Sequence, residues 1–442
     1  MKTNTICRSA LFGALLLTAT AHAQNASPVQ VSPSVADAQA AKRAVDGMMN
    51  SDLFQCYVAA TKELAPIWSN NNIRSKLLQI KKFDFSTETK QKLRHLYGDD
   101  HPLHFQTKTT ANGDVEVSYI LDELIYQEPN SQTKTHIAAL TGKSVYLKHN
   151  TRYGINSALP SVHVDVGNDM QIYAHDLTYS ESKTLGNSGL WFGSSEFKLG
   201  HLSVDVSSKN VHLKIDDTAI RSEVKKRGTV IDVEVDSVTK SINWGGDGLG
   251  PVHTAYRLSN VDSKAIASFA QSEDRISKSK TKMPDDARAA ITLHMFSKLG
   301  IAALKGGAAI DIQDISVQYH GMTAGLDGRV AFDKVQDADL DSPVSLLPKL
   351  NLHVNLHAPK ELLMEVLRMV VRSKLAESAN HDVAVTEQMV ESAAMAATNK
   401  LLELPLKEKW IRVEHGTLLS TIYFKAGKLT VNGEAFRAPA AN

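Results

Sequence analysis

Seventeen histidines in 442 residues invite a search for metal ligands. Spacing settles most of that search. Zinc sites use His, Cys and carboxylates at short, repeated intervals. The chain has no H-E-x-x-H pair and no cysteine cluster. The densest group of donors is His95, Asp99, Asp100, His101 and His104, types that suit a borderline metal. A polar loop ahead of a strand accounts for the same residues and is the preferred reading. His353 and His357 fall on one face if their segment is a strand, with Asn351 and Asn355 alongside. That face is the polar one, so a solvated sheet surface explains them.

Nucleophile patterns are equally sparse. No G-x-S-x-G elbow occurs, and Gly186-Asn187-Ser188-Gly189 misses it by one residue. Ser-x-x-Lys occurs seven times, for example Ser195 to Lys198 and Ser237 to Lys240, and so discriminates nothing. Gly245 to Gly250 is glycine-rich but lacks the Lys-Ser/Thr of a phosphate loop, and is expected to be a flexible hairpin connection. Lys278-Ser279-Lys280-Thr281-Lys282 could rest on an anionic lipid surface. A solvated linker between helices is the preferred account. No catalytic residue, metal ligand or cofactor-binding residue is assigned, and no cofactor is expected.

Composition narrows the class. Lys and Arg number 49 against 48 Asp and Glu, so there is no strong positive field for nucleic acid. With 43% hydrophobic and 22% charged residues, the chain can build a large core and is not a disordered tail.

Residues 1–23 read as a cleavable secretory signal. Lys2 and Arg8 supply the positive start, Ala10 to Ala21 the apolar run, and Ala21-His22-Ala23 a small-x-small cleavage site. That run is shorter than the roughly 20 residues a spanning helix needs. Cleavage would leave 47 basic against 48 acidic residues. It would also remove Cys7, leaving Cys56 alone without an internal disulfide partner. Cys56 is expected to be a buried small hydrophobe.

The elements that must position everything else are mostly strands. Alternation marks Val115–Ile120, Val162–Val166, Leu202–Val206, Val211–Ile215 and Val230–Val235. Little helix separates them, which favours an antiparallel meander over βαβ units. Residues 24–35 read as a disordered leader, Ala36–Trp68 as helix, and Phe83–Tyr97 as ambiguous. Pro251–Gln271 and Pro348–Arg368 repeat one pattern: strand, polar break, then amphipathic helix with an early lysine, Lys264 or Lys360. Asp285–Lys305 and Thr386–Leu404 read as helices. Lys425-Ala426-Gly427 and Asn432-Gly433 are tight turns. The fold class expected is therefore α+β: a large, curved, mostly antiparallel meander with a pseudo-repeat and amphipathic helices packed on it. The expected divisions are 36–270 for an N-terminal helix and meander half, 271–437 for a helix-rich C-terminal half, and 438–442 for a frayed tail.

Three stretches carry a resemblance. They are Gly189-Leu190-Trp191-Phe192-Gly193-Ser194-Ser195-Glu196-Phe197 with Leu202-Ser203-Val204; Gly250-Pro251-Val252-His253 leading into Leu258-Ser259-Asn260-Val261-Asp262; and Tyr423 to Gly433. In order and spacing the chain resembles the YdgA-like family of bacterial envelope proteins, a domain-of-unknown-function family, over most of residues 36–436. The resemblance implies a Gram-negative protein on the periplasmic side and brings no catalytic residues with it. Many relatives keep the N-terminal hydrophobic segment as an anchor, whereas Ala21-His22-Ala23 here favours cleavage. By fold analogy alone, the architecture is similar to the long-sheet AsmA-like envelope proteins linked to lipid handling.

These readings converge on a non-catalytic periplasmic binding or scaffold module. The alternatives are a lipid or apolar-ligand handler with a β-groove and, less favoured, an envelope hydrolase. Expected partners are lipid or another envelope protein, with peripheral membrane association and no nucleic acid.

Overall fold

The computed structural model describes residues 51–69, 79–80, 82–129, 132–147, 151–167, 170–207, 211–244, 247–278, 285–378 and 386–436. The expected signal (1–23), the leader (24–35), the start of the first helix and the frayed tail lie outside them.

The helices are α1 (Asp52–Ser69), α2 (Thr87–Tyr97), α3 (Ser263–Lys278), α4 (Asp285–Lys305), α5 (Pro343–Leu346), α6 (Lys360–Ser378) and α7 (Glu387–Lys407). The strands are β1 (Leu103–Thr109), β2 (Val115–Leu121), β3 (Leu124–Gln127), β4 (Thr133–Ile137), β5 (Leu140–Tyr146), β6 (Arg152–Val166), β7 (Met170–Leu185), β8 (Trp191–Val206) and β9 (Val211–Arg227). Then come β10 (Val230–Trp244), β11 (Asp247–Asp262), β12 (Ala309–Tyr319), β13 (Met322–Phe332), β14 (Leu350–Pro359), β15 (Arg412–Glu414), β16 (Thr417–Lys425), β17 (Lys428–Val431) and β18 (Glu434–Ala435). The class is α+β and mostly antiparallel, as expected. Two compact units divide the chain: one of Met1–Lys214 with Ala267–Thr292, the other of Ile215–Ile266 with Leu293–Asn442.

In the first unit, β1 and β5 flank β2, and β6 pairs with β4, β5 and β7. Val117, Tyr146, Tyr153 and Ile155 from these strands form one core with Ile67 of α1 and Ile80. A second cluster joins Cys56, Phe85, Leu93, Leu96 and Leu124. Of the ambiguous Phe83–Tyr97 stretch, Thr87–Tyr97 is helix α2, and Phe83–Ser86 lead into it without regular structure. Ser86 caps it by accepting from the Thr89 N–H, and Gly98 ends it at φ 74°, a left-handed turn that glycine takes without strain. Glu63 of α1 accepts from the Ser86 backbone, the Ser86 hydroxyl and the Thr89 hydroxyl, tying the two helices together.

Strands β6, β7 and β8 run 15, 16 and 16 residues. The alternation at Val162–Val166 and Leu202–Val206 marks only about a third of β6 and of β8, and none marks β7. The cause is a change of parity midway. Tyr153, Ile155 and Leu159 are buried at odd positions of β6, opposite Lys183, Glu181 and Leu177. Beyond Pro160, the buried partner is Ala174 at an even position, opposite Val162 and Leu202. Asp176 sits at φ 57°, and this left-handed residue turns the strand's faces over.

The second unit is a run of antiparallel neighbours from β10 through β11, β12, β13, β14 and β16 to β17. Register shifts within the β10–β11, β11–β12 and β12–β13 pairs bend the strands locally. Helix α6 packs on β13 and β14 and against α7. The buried stripe of α7 is Val390, Ala394, Thr398 and Leu402, one face at intervals of four. Arg368 of α6 joins the pair by binding Glu391 at 2.5 and 2.8 Å. Ala426 and Gly427, at φ 50° and 75°, make the expected hairpin turn, as do Asn432 and Gly433 at 52° and 83°.

Two expectations need correction. Asp247–Gly250 is strand, with Trp244 opposite Asp247, so only Gly245-Gly246, outside the described residues, remains for the connection. Neither copy of the strand–helix repeat contains a polar break. Strand β11 ends at Asp262 and α3 begins at Ser263, where the Asp262 carboxylate accepts from the Ala265 N–H as a cap. Likewise β14 ends at Pro359 and α6 begins at Lys360.

Candidate functional site

Register in the second unit builds rows that cross seven strands. Val233, Leu258, Ile310, Val330, Leu352, Phe424 and Leu429 are successive cross-strand partners from β10 to β17. The next apolar row runs through Val235, Tyr256, Ile312, Gly328, Val354, Ile422 and Val431. Residues directly opposite in an antiparallel ladder share a face, so these rows make one apolar surface. Helix α6 covers part of it: Leu362 is buried, and the Tyr319 hydroxyl reaches the Met369 sulfur at 3.7 Å. Elsewhere large apolar side chains stay open to solvent. Ile310 is 45% exposed, and Tyr256, Ile315 and Leu356 are each 37% exposed. Burying such a side chain is worth about 1.5–3 kcal/mol, so a contiguous open group favours a partner.

The opposite face is polar and internally paired. Between the two apolar rows lies Glu234, Arg257, Asp311, Arg329, His353, Tyr423 and Thr430, with charges alternating over its first four members. Arg329 binds Asp311 at 2.8 Å, and His353 meets Tyr423 edge-on at 6.1 Å. Asp232 is buried and accepts from Arg227, from Arg257 at 2.6 Å and from the Asn260 N–H at 3.0 Å. Burial alone would raise its carboxyl, but these donors outweigh burial and hold it at about 2. His253 stands between two carboxylates, Asp236 at 3.1 Å and Asp314 at 2.6 Å. Their hydrogen bonds raise its pKa by favouring the imidazolium. Arranged this way, the polar face holds itself together and leaves the apolar face as the surface with unmet demand.

The residues singled out from sequence are placed as follows. The His95–His104 group separates into several pairings. His101 binds Asp100 at 2.5 Å and Asp84 at 3.1 Å, His104 binds Asp122 at 2.8 Å, and His95 lies 3.3 Å from Asp52. Arg94 pairs with Asp100 and Lys90 with Asp84. Among the described residues, Asp99, Asp100 and His101 are the one group of three donors within 4.8 Å of each other. With Arg94 on Asp100 and Lys90 on Asp84, that group reads as a charge network joining α2 to the segments just before and after it. His353 and His357 share the polar face of β14, as expected. A Cβ at Gly325 would lie 2.8 Å from the His357 ring, so the glycine makes room for it.

Ser195 and Ser237 lie in strands, where residues three apart point to opposite faces. Their Ser-x-x-Lys partners turn away: Lys198 binds Glu196 at 3.1 Å and Lys240 binds Asp217 at 3.0 Å. Ser188 lies in the turn between β7 and β8. Cys56 is 2% exposed, and burial pushes its thiol up to about 11. The basic run continues beyond Lys278 outside the described residues.

Sequence reasoning missed the His253 clamp and a group of rings in the first unit. There His175 and His201 stack at 5.2 Å, and Tyr173 meets His163 edge-on at 6.0 Å. Both arrangements depend on cross-strand register, which no local pattern encodes. Asp176 binds His175 at 2.8 Å, but among the described residues these donors do not make a group of three all within 4.8 Å of one another.

The fold and this surface define a class: an α+β protein whose antiparallel sheet, in the second unit, has one self-paired polar face and one incompletely covered apolar face. The chain belongs to DUF945, a family of bacterial proteins of unknown function, whose family model matches residues 82–439. No curated protein and no solved structure matches the chain.

Proposed function

We propose that this protein is a non-catalytic binding module of the bacterial envelope whose open apolar sheet face takes an apolar ligand of the acyl-chain type. The observation that carries the reading is the exposure of Tyr256, Ile310, Ile315 and Leu356 on one continuous face backed by a self-neutralised polar face. A scaffold holding another envelope protein would use the same face. The lipid-type ligand is favoured because the open side chains are aliphatic and aromatic, with no charged residue in either apolar row. The YdgA-like resemblance and the patterning of residues 1–23 support export to the periplasm with removal of the leader. Among the described residues, no helix is long and apolar enough to cross a membrane.

The test is to purify the protein from a native extract and analyse it for bound lipid by mass spectrometry. Stoichiometric acyl lipid that is lost in Ile310→Glu supports the reading. A lipid-free wild-type protein, or equal lipid on both, overturns it. Labelling of a serine by an activity probe would instead place the protein among the envelope hydrolases.

A further inference from the structure

His175 of β7 and His201 of β8 are direct cross-strand partners, so their side chains rise from one face of the first unit's sheet. Their ring centres lie 5.2 Å apart with the planes 21° from parallel. Both residues are half-buried, which leaves them within reach of solvent. The separation is the one that chelation requires. Two imidazoles sharing one metal through bonds of about 2.0–2.1 Å, at a near-tetrahedral angle, have ring centres about 5 Å apart.

The surroundings of His175 orient it for that role. Neighbouring residues of a strand ordinarily point to opposite faces. Asp176 instead brings its carboxylate to His175 Nδ1 at 2.8 Å, from a left-handed backbone at φ 57°. Gly200, beside His201, makes room for it: a Cβ there would lie 2.9 Å from Asp176 Cβ and 3.1 Å from Asp176 Oδ2. A carboxylate on Nδ1 accepts its proton, fixes the tautomer and leaves the Nε2 lone pair for a metal, the usual support of a metal-binding histidine. An imidazole bound through one nitrogen keeps the other for hydrogen bonding, so partners on either ring are compatible with chelation.

We infer that His175 and His201 chelate a divalent transition ion of the copper, nickel or zinc type, with Asp176 positioning His175 and water completing the shell. This site lies in the first unit and the open apolar sheet face in the second, so either proposal can fail without the other. The test titrates copper(II) into the full chain, without an affinity tag, and reads the first equivalent by electron paramagnetic resonance. The spectrum should show two imidazole nitrogens on the ion. His175→Gln and His201→Gln should each leave one nitrogen and weaken the first equivalent at least tenfold. Asp176→Asn should keep both nitrogens but weaken binding about tenfold. His353→Gln, at an exposed histidine of β14 in the second unit, should change neither. Should a variant fail to fold, zinc(II) with the wild type decides: it should slow amide exchange in the β7 and β8 segments around His175 and His201 at least tenfold. A first equivalent with one nitrogen would overturn the inference. So would affinity unchanged in both single histidine variants, loss in His353→Gln, or unaltered exchange around both histidines on saturating zinc(II).

Discussion

Replacing Asp232 with Asn removes one charge and almost no volume, and so tests how the polar face holds itself together. The Asp232 side chain is 4% exposed, while its partners Arg227 and Arg257 are 58% and 34% exposed. Its carboxyl is held at about 2, against an ordinary value of 3.8. At about 1.36 kcal/mol per unit, that depression corresponds to about 2.5 kcal/mol of folding stability at neutral pH. The sign follows from linkage. A depressed carboxyl contributes fully above its unfolded value and loses the contribution as pH falls toward its folded value. Urea unfolding of the second unit's strands should therefore show the variant about 2–3 kcal/mol less stable at pH 7. Between pH 5 and pH 2.5 the wild type should lose about 1.5 kcal/mol that the variant does not. A difference below about 0.5 kcal/mol at pH 7, or one that stays constant down to pH 2.5, would refute the reasoning.

Three further outcomes are expected. Gly328→Ala would place a Cβ 2.2 Å from the His353 carbonyl oxygen, a backbone contact that cannot rotate away. It should cost about 1–3 kcal/mol in thermal or urea unfolding, and an unchanged midpoint would contradict the packing described. His253→Gln should abolish a stabilisation that is full below the ordinary histidine pKa and fades as pH rises through the raised one; wild-type and variant stabilities that run parallel from pH 5 to pH 9 would refute the clamp. Cys56, with its thiol pushed up to about 11, should resist iodoacetamide at pH 8 until the chain is unfolded. Peptide mass spectrometry at that position reads the result, and rapid native labelling would contradict its burial.

Legibility followed the range of the interactions. Segments whose alternation keeps one parity were readable: Val115–Ile120 in β2 and Val230–Val235 in β10 are strands. Helix α4 spans Asp285–Lys305, the segment its pattern marks, because its stop at Gly306-Gly307 is local. The length of β6, β7 and β8 was hidden because parity changes around Pro160 and Asp176, so no single alternation runs the length of the strand. The seven-strand rows were hidden for another reason. Glu234 and Arg329 belong to one row, yet 95 residues of sequence separate them, and only register joins them. His253 illustrates the same limit: Asp236 and Asp314 reach it from two other strands. The acid–histidine group of residues 95–104 was visible as a cluster. Its pairing, Arg94 with Asp100 and His101 with an Asp84 held by Lys90, appears only once α2 is folded between its flanking segments.

The central claim is that the open face of β11–β14 takes an acyl chain, and photo-crosslinking tests it most directly. A diazirine-bearing fatty acid should label peptides containing Tyr256, Ile310, Ile315 or Leu356, with Ile310→Glu reducing the yield at least tenfold. Labelling confined to the polar face or to the first unit, or no labelling above that of an unrelated protein, would contradict the account.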